Sequence, residues 1–135
     1  MFISSTIKNS VQHNDVTVST EGNSKKITIP GRTEGRGSSV NGGELLFLSL
    51  ATCFCNDIYR EAARRKMDIV SVEVTASGNF GKEGESASGI TYSVTMDAPA
   101  SSPEEISDLV NHVDKIAEIH NTLRKGVAVS LTTYP

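Results

Sequence analysis

A chain of 135 residues, 37% hydrophobic and 21% charged, has the balance of one globular domain, expected to span residues 1–135. Its 13 Lys and Arg against 16 Asp and Glu leave a formal charge of −3, and no basic run offers nucleic acid a footprint. Three His and two Cys are too few for an all-protein metal cage, and no phosphate-cradling glycine motif is present, so neither metal nor cofactor is expected.

The longest nearly unbroken apolar stretch, Leu45 to Cys55, is about half of the ~20 residues that a bilayer span requires. It therefore reads as a buried core segment. Met1-Phe2-Ile3-Ser4-Ser5 shows no charged region ahead of an apolar one, so no signal peptide is expected. The expected compartment is the reducing cytoplasm, where a cysteine is a thiol rather than a staple.

In chain order, a strand is expected around Phe2 to Ile7. Period-two alternation marks two more, at Asp15–Ser19 and Lys25–Ile29, with turn chemistry at Glu21-Gly22-Asn23-Ser24 between them. Pro30 to Ser39 is a loop carrying Gly31, Gly35 and Gly37 with Arg32 and Arg36. A helix of about 24 residues, roughly 36 Å long, follows from Gly42 to Lys66. It starts apolar on almost every side and ends amphipathic, with Arg64, Arg65 and Lys66 at the negative end of its dipole.

Ile69 to Phe80 and Ile90 to Met96 alternate again and form a second hairpin around the loop Gly81–Gly89. Ser102-Pro103-Glu104-Glu105 is a capping box with proline at the first helical position, and Ile106, Leu109, Val110, Val113, Ile116 and Ala117 follow at helical spacing. A short segment through Asn121–Arg124 leads to Gly126, and Val127, Val129 and Leu131 alternate as a final strand. The order βββ–α–ββ–α–β defines an α+β domain with a largely antiparallel sheet.

Cys53 and Cys55 are the candidate reactive groups. Two helical positions differ by about 200°, so the sulfurs leave on nearly opposite faces and an intrahelical disulfide would require unwinding. Asp57, one turn beyond Cys53, shares its face, and a neighbouring carboxylate raises a thiol pKa. Arg32 and Arg36 are the natural activators of a thiolate, because a cation favours the deprotonated nucleophile. Glu44 lies about 2.5 turns before Cys53 and is equally suited to a capping box with Asn41. His120 reads as a helix-end histidine.

Gly43-Glu44-Leu45-Leu46, followed by Ala51-Thr52-Cys53-Phe54, resembles the OsmC/Ohr family of osmotically induced and organic-hydroperoxide-resistance proteins. The resemblance extends along the chain and includes Cys53-Phe54-Cys55-Asn56-Asp57-Ile58-Tyr59-Arg60. It implies the OsmC/Ohr-like fold, an antiparallel sheet packed on a long central helix in an intertwined homodimer. A helix apolar all round asks for the same extra cover.

Family members reduce organic hydroperoxides with a reactive cysteine, assisted by an arginine and a glutamate. A second cysteine in a Cys-Pro-x-Ser-x-x-x-Arg-like segment then closes a disulfide. Carried over, Cys53 matches the reactive cysteine and Glu44 the glutamate, with Arg32 or Arg36 as the arginine. Ala117, Glu118 and His120 stand where the second cysteine, the proline and the serine are usual, and no cysteine follows Cys55. The two-cysteine cycle is therefore excluded. Two readings stay open: a one-cysteine hydroperoxide reductase served by an external thiol or by Cys55 of a neighbouring chain, or a non-catalytic dimer binding a small apolar ligand with Cys53 structural.

Overall fold

The computed structural model describes residues 1–132. It contains β1 (Ile3–Ser10), β2 (His13–Thr20), β3 (Asn23–Lys26), α1 (Gly42–Arg64), β4 (Ser71–Phe80), β5 (Ala87–Asp97), α2 (Pro103–Ile116) and α3 (Glu118–Lys125). The chain forms two compact units, Met1–Leu45 and Leu46–Pro135.

In the first unit, β1, β2 and β3 make an antiparallel meander in that order. Val16 on β2 is its buried residue, and β1 is exposed along its length. The sequence places the third strand at Lys25–Ile29, but the ladder ends at Lys26. Ile27 N–H still donates to Val16 O, after which Pro30, which has no N–H to offer a ladder, turns the chain away.

The Pro30–Ser39 loop is tied down rather than freely solvated. Asn14 Nδ2 donates to Ile29 O (3.0 Å) and Ser38 Oγ (2.9 Å), and Gly37 N–H donates to Asn9 Oδ1 (2.9 Å). Gly31 is required there, since a Cβ would lie 2.5 Å from the Gln12 carbonyl carbon.

The second unit places the main core against α1. Phe54, Ile58 and Ala62 of α1 pack on Leu109, Val113 and Ala117, with Val72, Val74, Tyr92, Val94 and Met96 closing the other side. The period-two pattern of β4 and β5 produces this directly: Val72 pairs with Met96, Val74 with Val94 and Ala76 with Tyr92, so one face of the hairpin is half-buried throughout. The Ser102 capping box forms as the sequence implies, with Glu105 N–H on Ser102 Oγ and Ser102 N–H on Glu105 Oε2.

A further expectation is corrected. The final strand at Val127–Leu131 is absent among the described residues: Asn121–Arg124 belongs to α3, and Gly126, left-handed at φ 60°, ends that helix. Val127, Val129 and Leu131 are exposed with no neighbouring strand to pair with among the described residues. The apolar half of α1 is left partly open within the protomer, in keeping with a helix that asks for extra cover. Leu48 remains 59% exposed and Leu45 36%.

Candidate functional site

Cys53 lies mid-way along α1 and is half-buried, with a free thiol. Its Sγ donates to Asp57 Oδ2 at 3.7 Å, one helical turn away. Burial pushes the Cys53 thiol up, and the Asp57 carboxylate pushes it further. The backbone N–H groups of Ile119 and Glu118, at the start of α3, act on the same sulfur in the opposite sense. Ala117, where the resemblance expects a second cysteine, is fully buried immediately before α3. The sulfur therefore faces the stretch of chain where that cysteine would stand.

Cys55 turns elsewhere, onto an open surface hollow bordered by Ala51, Thr52, Asn56 and Val74. The divergence expected from helical geometry is thus realised.

Asp57 is the first of a row of charges along α1. It is 4% exposed and holds Arg60 Nη1 at 2.5 Å. Arg60 Nε reaches Glu61 Oε1 (3.0 Å), Arg64 Nη1 reaches the same oxygen (2.7 Å), and His112 Nε2 lies 3.3 Å from Glu61 Oε2. The cation nearest Cys53 along this row is thus engaged by the carboxylate that opposes ionisation of the thiol.

The remaining residues singled out in the sequence lie in the first unit. Glu44 makes the capping box: Glu44 N–H donates to Asn41 Oδ1 (2.9 Å) and Asn41 N–H to Glu44 Oε2 (2.8 Å). Arg32 and Arg36 have exposed side chains on the pinned loop, and Arg32 N–H donates to Gly37 O.

A second group, behind α3, is not signalled by any sequence spacing. Tyr92 on β5 donates its hydroxyl to Asp114 Oδ1 on α2, and Arg124 Nη2 on α3 reaches the same oxygen at 2.6 Å. Burial and this hydrogen bond push the Tyr92 phenol up to about 12. The Tyr92 and Arg124 contacts hold Asp114 below the usual carboxylate range.

His120 lies beside this group, its ring edge-on to Tyr92 (4.6 Å between centroids) and to Phe54 (5.6 Å). It is 4% exposed, and neither Nδ1 nor Nε2 has a hydrogen-bond partner among the described residues. An orphaned buried polar group of this kind costs about 1–3 kcal/mol. Burial, followed by the Arg124 charge, pushes its pKa down, so the imidazole is neutral. Leu50, Ile90, Tyr92, His120, Leu123 and Arg124 line a half-open cavity of about 220 Å³.

No group of His, Cys, Asp and Glu able to hold a metal ion occurs among the described residues. No helix among them is long and apolar enough to cross a membrane.

The α+β arrangement just described, with a half-buried cysteine mid-way along its longest helix, defines a class of protein. The family model described as "OsmC-like protein" matches residues 35–132, and the chain belongs to that family. Solved structures with the same fold include an OsmC-like protein from Mycoplasma pneumoniae (17% identity, TM-score 0.63, covering 90% of this chain and 87% of that one). The organic hydroperoxide resistance protein OhrB of Bacillus subtilis is similar as well (16% identity, TM-score 0.54, 92% and 91% covered). So is an organic hydroperoxide resistance protein OsmC from Legionella pneumophila (16% identity, TM-score 0.52, 92% and 90% covered). No curated protein sequence matches the chain.

Proposed function

We propose that this OsmC-family chain is a one-cysteine thiol redox protein that reduces organic hydroperoxides at Cys53. The single observation that carries this reading is the placement of a free, half-buried thiol mid-way along α1, facing the start of α3. Family membership and the hydroperoxide-resistance relatives that share the fold support it.

In the reaction, the Cys53 thiolate attacks the distal peroxide oxygen and the O–O bond breaks. The alcohol leaves with a proton, and Cys53 becomes a sulfenic acid. An external thiol then displaces water to form a mixed disulfide, and a second thiol releases Cys53 as the free thiol with an external disulfide as product. Ala117 cannot take the resolving role, and Cys55 points away.

The protomer by itself favours the protonated thiol, because burial and Asp57 both oppose ionisation. An active site therefore needs a further cation. We assign that part to Arg32 or Arg36, with Glu44 assisting, in a homodimer assembled on the apolar side chains that α1 leaves open, Leu48 among them. We propose further that the chain works as one domain, 1–135, in the reducing cytoplasm, where external thiols are kept reduced.

A non-catalytic binding role is the competing reading, favoured by the Cys53–Asp57 contact that holds the thiol protonated. A steady-state assay with cumene hydroperoxide and a dithiol, run on the parent and on Cys53→Ser, separates them. Loss of turnover in the variant is expected. Equal rates overturn the thiol reading.

A further inference from the structure

We propose that α3 is an acid-released lid over Cys53, latched in neutral solution by the buried, unpartnered ring of His120 and opened when that ring takes up a proton. The device goes beyond the thiol chemistry and holds whether or not Cys53 turns over a peroxide.

The latch is one side chain. Of the eight residues of α3, only His120 is buried, and the apolar Ile119 and Leu123 remain exposed. The helix has no side-chain cap at its start. Ala117, extended at φ −63° and ψ 108°, separates it from α2 and serves as the hinge. The other ties of α3 to α2 are polar and exposed: Arg124 on Asp114, and Asn121 Nδ2 on Lys115 O (3.0 Å).

Both imidazole nitrogens are sealed from solvent and have no partner among the described residues. Packing holds the neutral ring in place, whereas a charged ring there has nothing to bond to. The groups that face it come from four elements. Arg124 on α3 opposes a proton, Asp114 on α2 and Asp57 on α1 favour one, and the Cys53 thiol and the Tyr92 phenol on β5 are uncharged. Both carboxylates are already matched, Asp114 by Arg124 and Tyr92, and Asp57 by Arg60. Burial therefore decides, and a proton is accommodated by lifting the ring into water.

What the lid covers is the thiol. The backbone of Glu118 and Ile119 acts on Cys53 Sγ, and Phe54, the next residue, packs its ring 5.6 Å from that of His120. Lifting α3 about Ala117 uncovers the sulfur, while Phe54, Ile58, Leu109 and Val113 keep the core closed.

An imidazole released to water titrates near 6.5, so between pH 7.5 and 5.5 the open form gains up to about tenfold over the closed one. The test is hydrogen exchange of the full chain, read by mass spectrometry and corrected for the intrinsic pH dependence of exchange. Protection of the α3 amides is expected to fall several-fold over this range, toward that limit. At both pH values it should lie at least about tenfold below that of α1 around Phe54 and Ile58, which marks opening without global unfolding.

In a Cys55→Ser background, labelling of Cys53 by dithiodipyridine, which reacts in acid, should rise by the same factor relative to glutathione at the same pH. His120→Phe, which keeps an aromatic ring and removes both nitrogens, should abolish both responses, and the parent protein alone suffices for the first. Protection of α3 that is independent of pH or equal to that of the core overturns the proposal. So does Cys53 labelling that fails to follow α3.

Discussion

Replacing Asp57 by asparagine should make Cys53 more acidic, and its size can be worked from the geometry. Cys53 Sγ and Asp57 Oδ2 lie 3.7 Å apart. Two unit charges at that separation repel by about 1 kcal/mol at the dielectric constant of water and by about 4 kcal/mol at an effective value of 20. Arg60 Nη1, 2.5 Å from the other carboxylate oxygen, cancels much of that charge, so the lower figure applies. Asp57→Asn should therefore favour the thiolate by about 1 kcal/mol, which at a fixed pH below the thiol's titration speeds alkylation by about fivefold. Burial, the larger of the two effects, stays in place, so the thiol should still titrate on the high side. The assay is the pH dependence of iodoacetamide alkylation, in a Cys55→Ser background so that one sulfur is followed. A profile that does not move, with the fold intact by circular dichroism, would refute the claim that Asp57 restrains this thiol.

Phe54→Ala removes the fully buried ring that touches both Tyr92 and His120 and should cost about 3–5 kcal/mol in urea unfolding. A loss under 1 kcal/mol would place the core elsewhere. His120 gives stability a pH dependence of known sign. Its folded pKa lies below the ordinary value of 6.5, so between the two the unfolded chain binds a proton that the native state refuses. Stability therefore falls as pH drops below about 6.5, with a limiting slope of about 1.4 kcal/mol per pH unit. The lowered carboxylate Asp114, with an ordinary value of 3.8, acts only in more acidic solution, so the two windows are distinct. Urea titrations at pH 7 and 5.5 should show the loss in the parent and a flatter response in His120→Phe.

The elements legible in the sequence were those whose signal is local. The Ser102 box, the Asn41–Glu44 spacing and the alternation of Val72, Val74, Tyr92, Val94 and Met96 each depend on residues a few positions apart, and each appears as read. The alternation at Val127–Leu131 yields no strand, because alternation alone says nothing about whether a partner strand is available. The third strand stops at Lys26, short of the alternation that runs to Ile29, because Pro30 turns the chain away from β2. At the candidate site, Cys53 with Asp57 one turn away was readable from helical period. The Tyr92–Asp114–Arg124 group and the orphaned His120 ring were not, because β5, α2 and α3 bring them together only after folding. Nor did spacing reveal that Arg60 engages the same Asp57 that bonds the thiol.

The most direct measurement of the thiol account is mass spectrometry of the protein after brief exposure to cumene hydroperoxide in the presence of dimedone, which traps sulfenic acid. The account predicts one adduct per chain, located at Cys53, absent from Cys53→Ser and prevented when a dithiol is supplied first. An unmodified Cys53 after the peroxide has been consumed, or an adduct confined to Cys55, would contradict it.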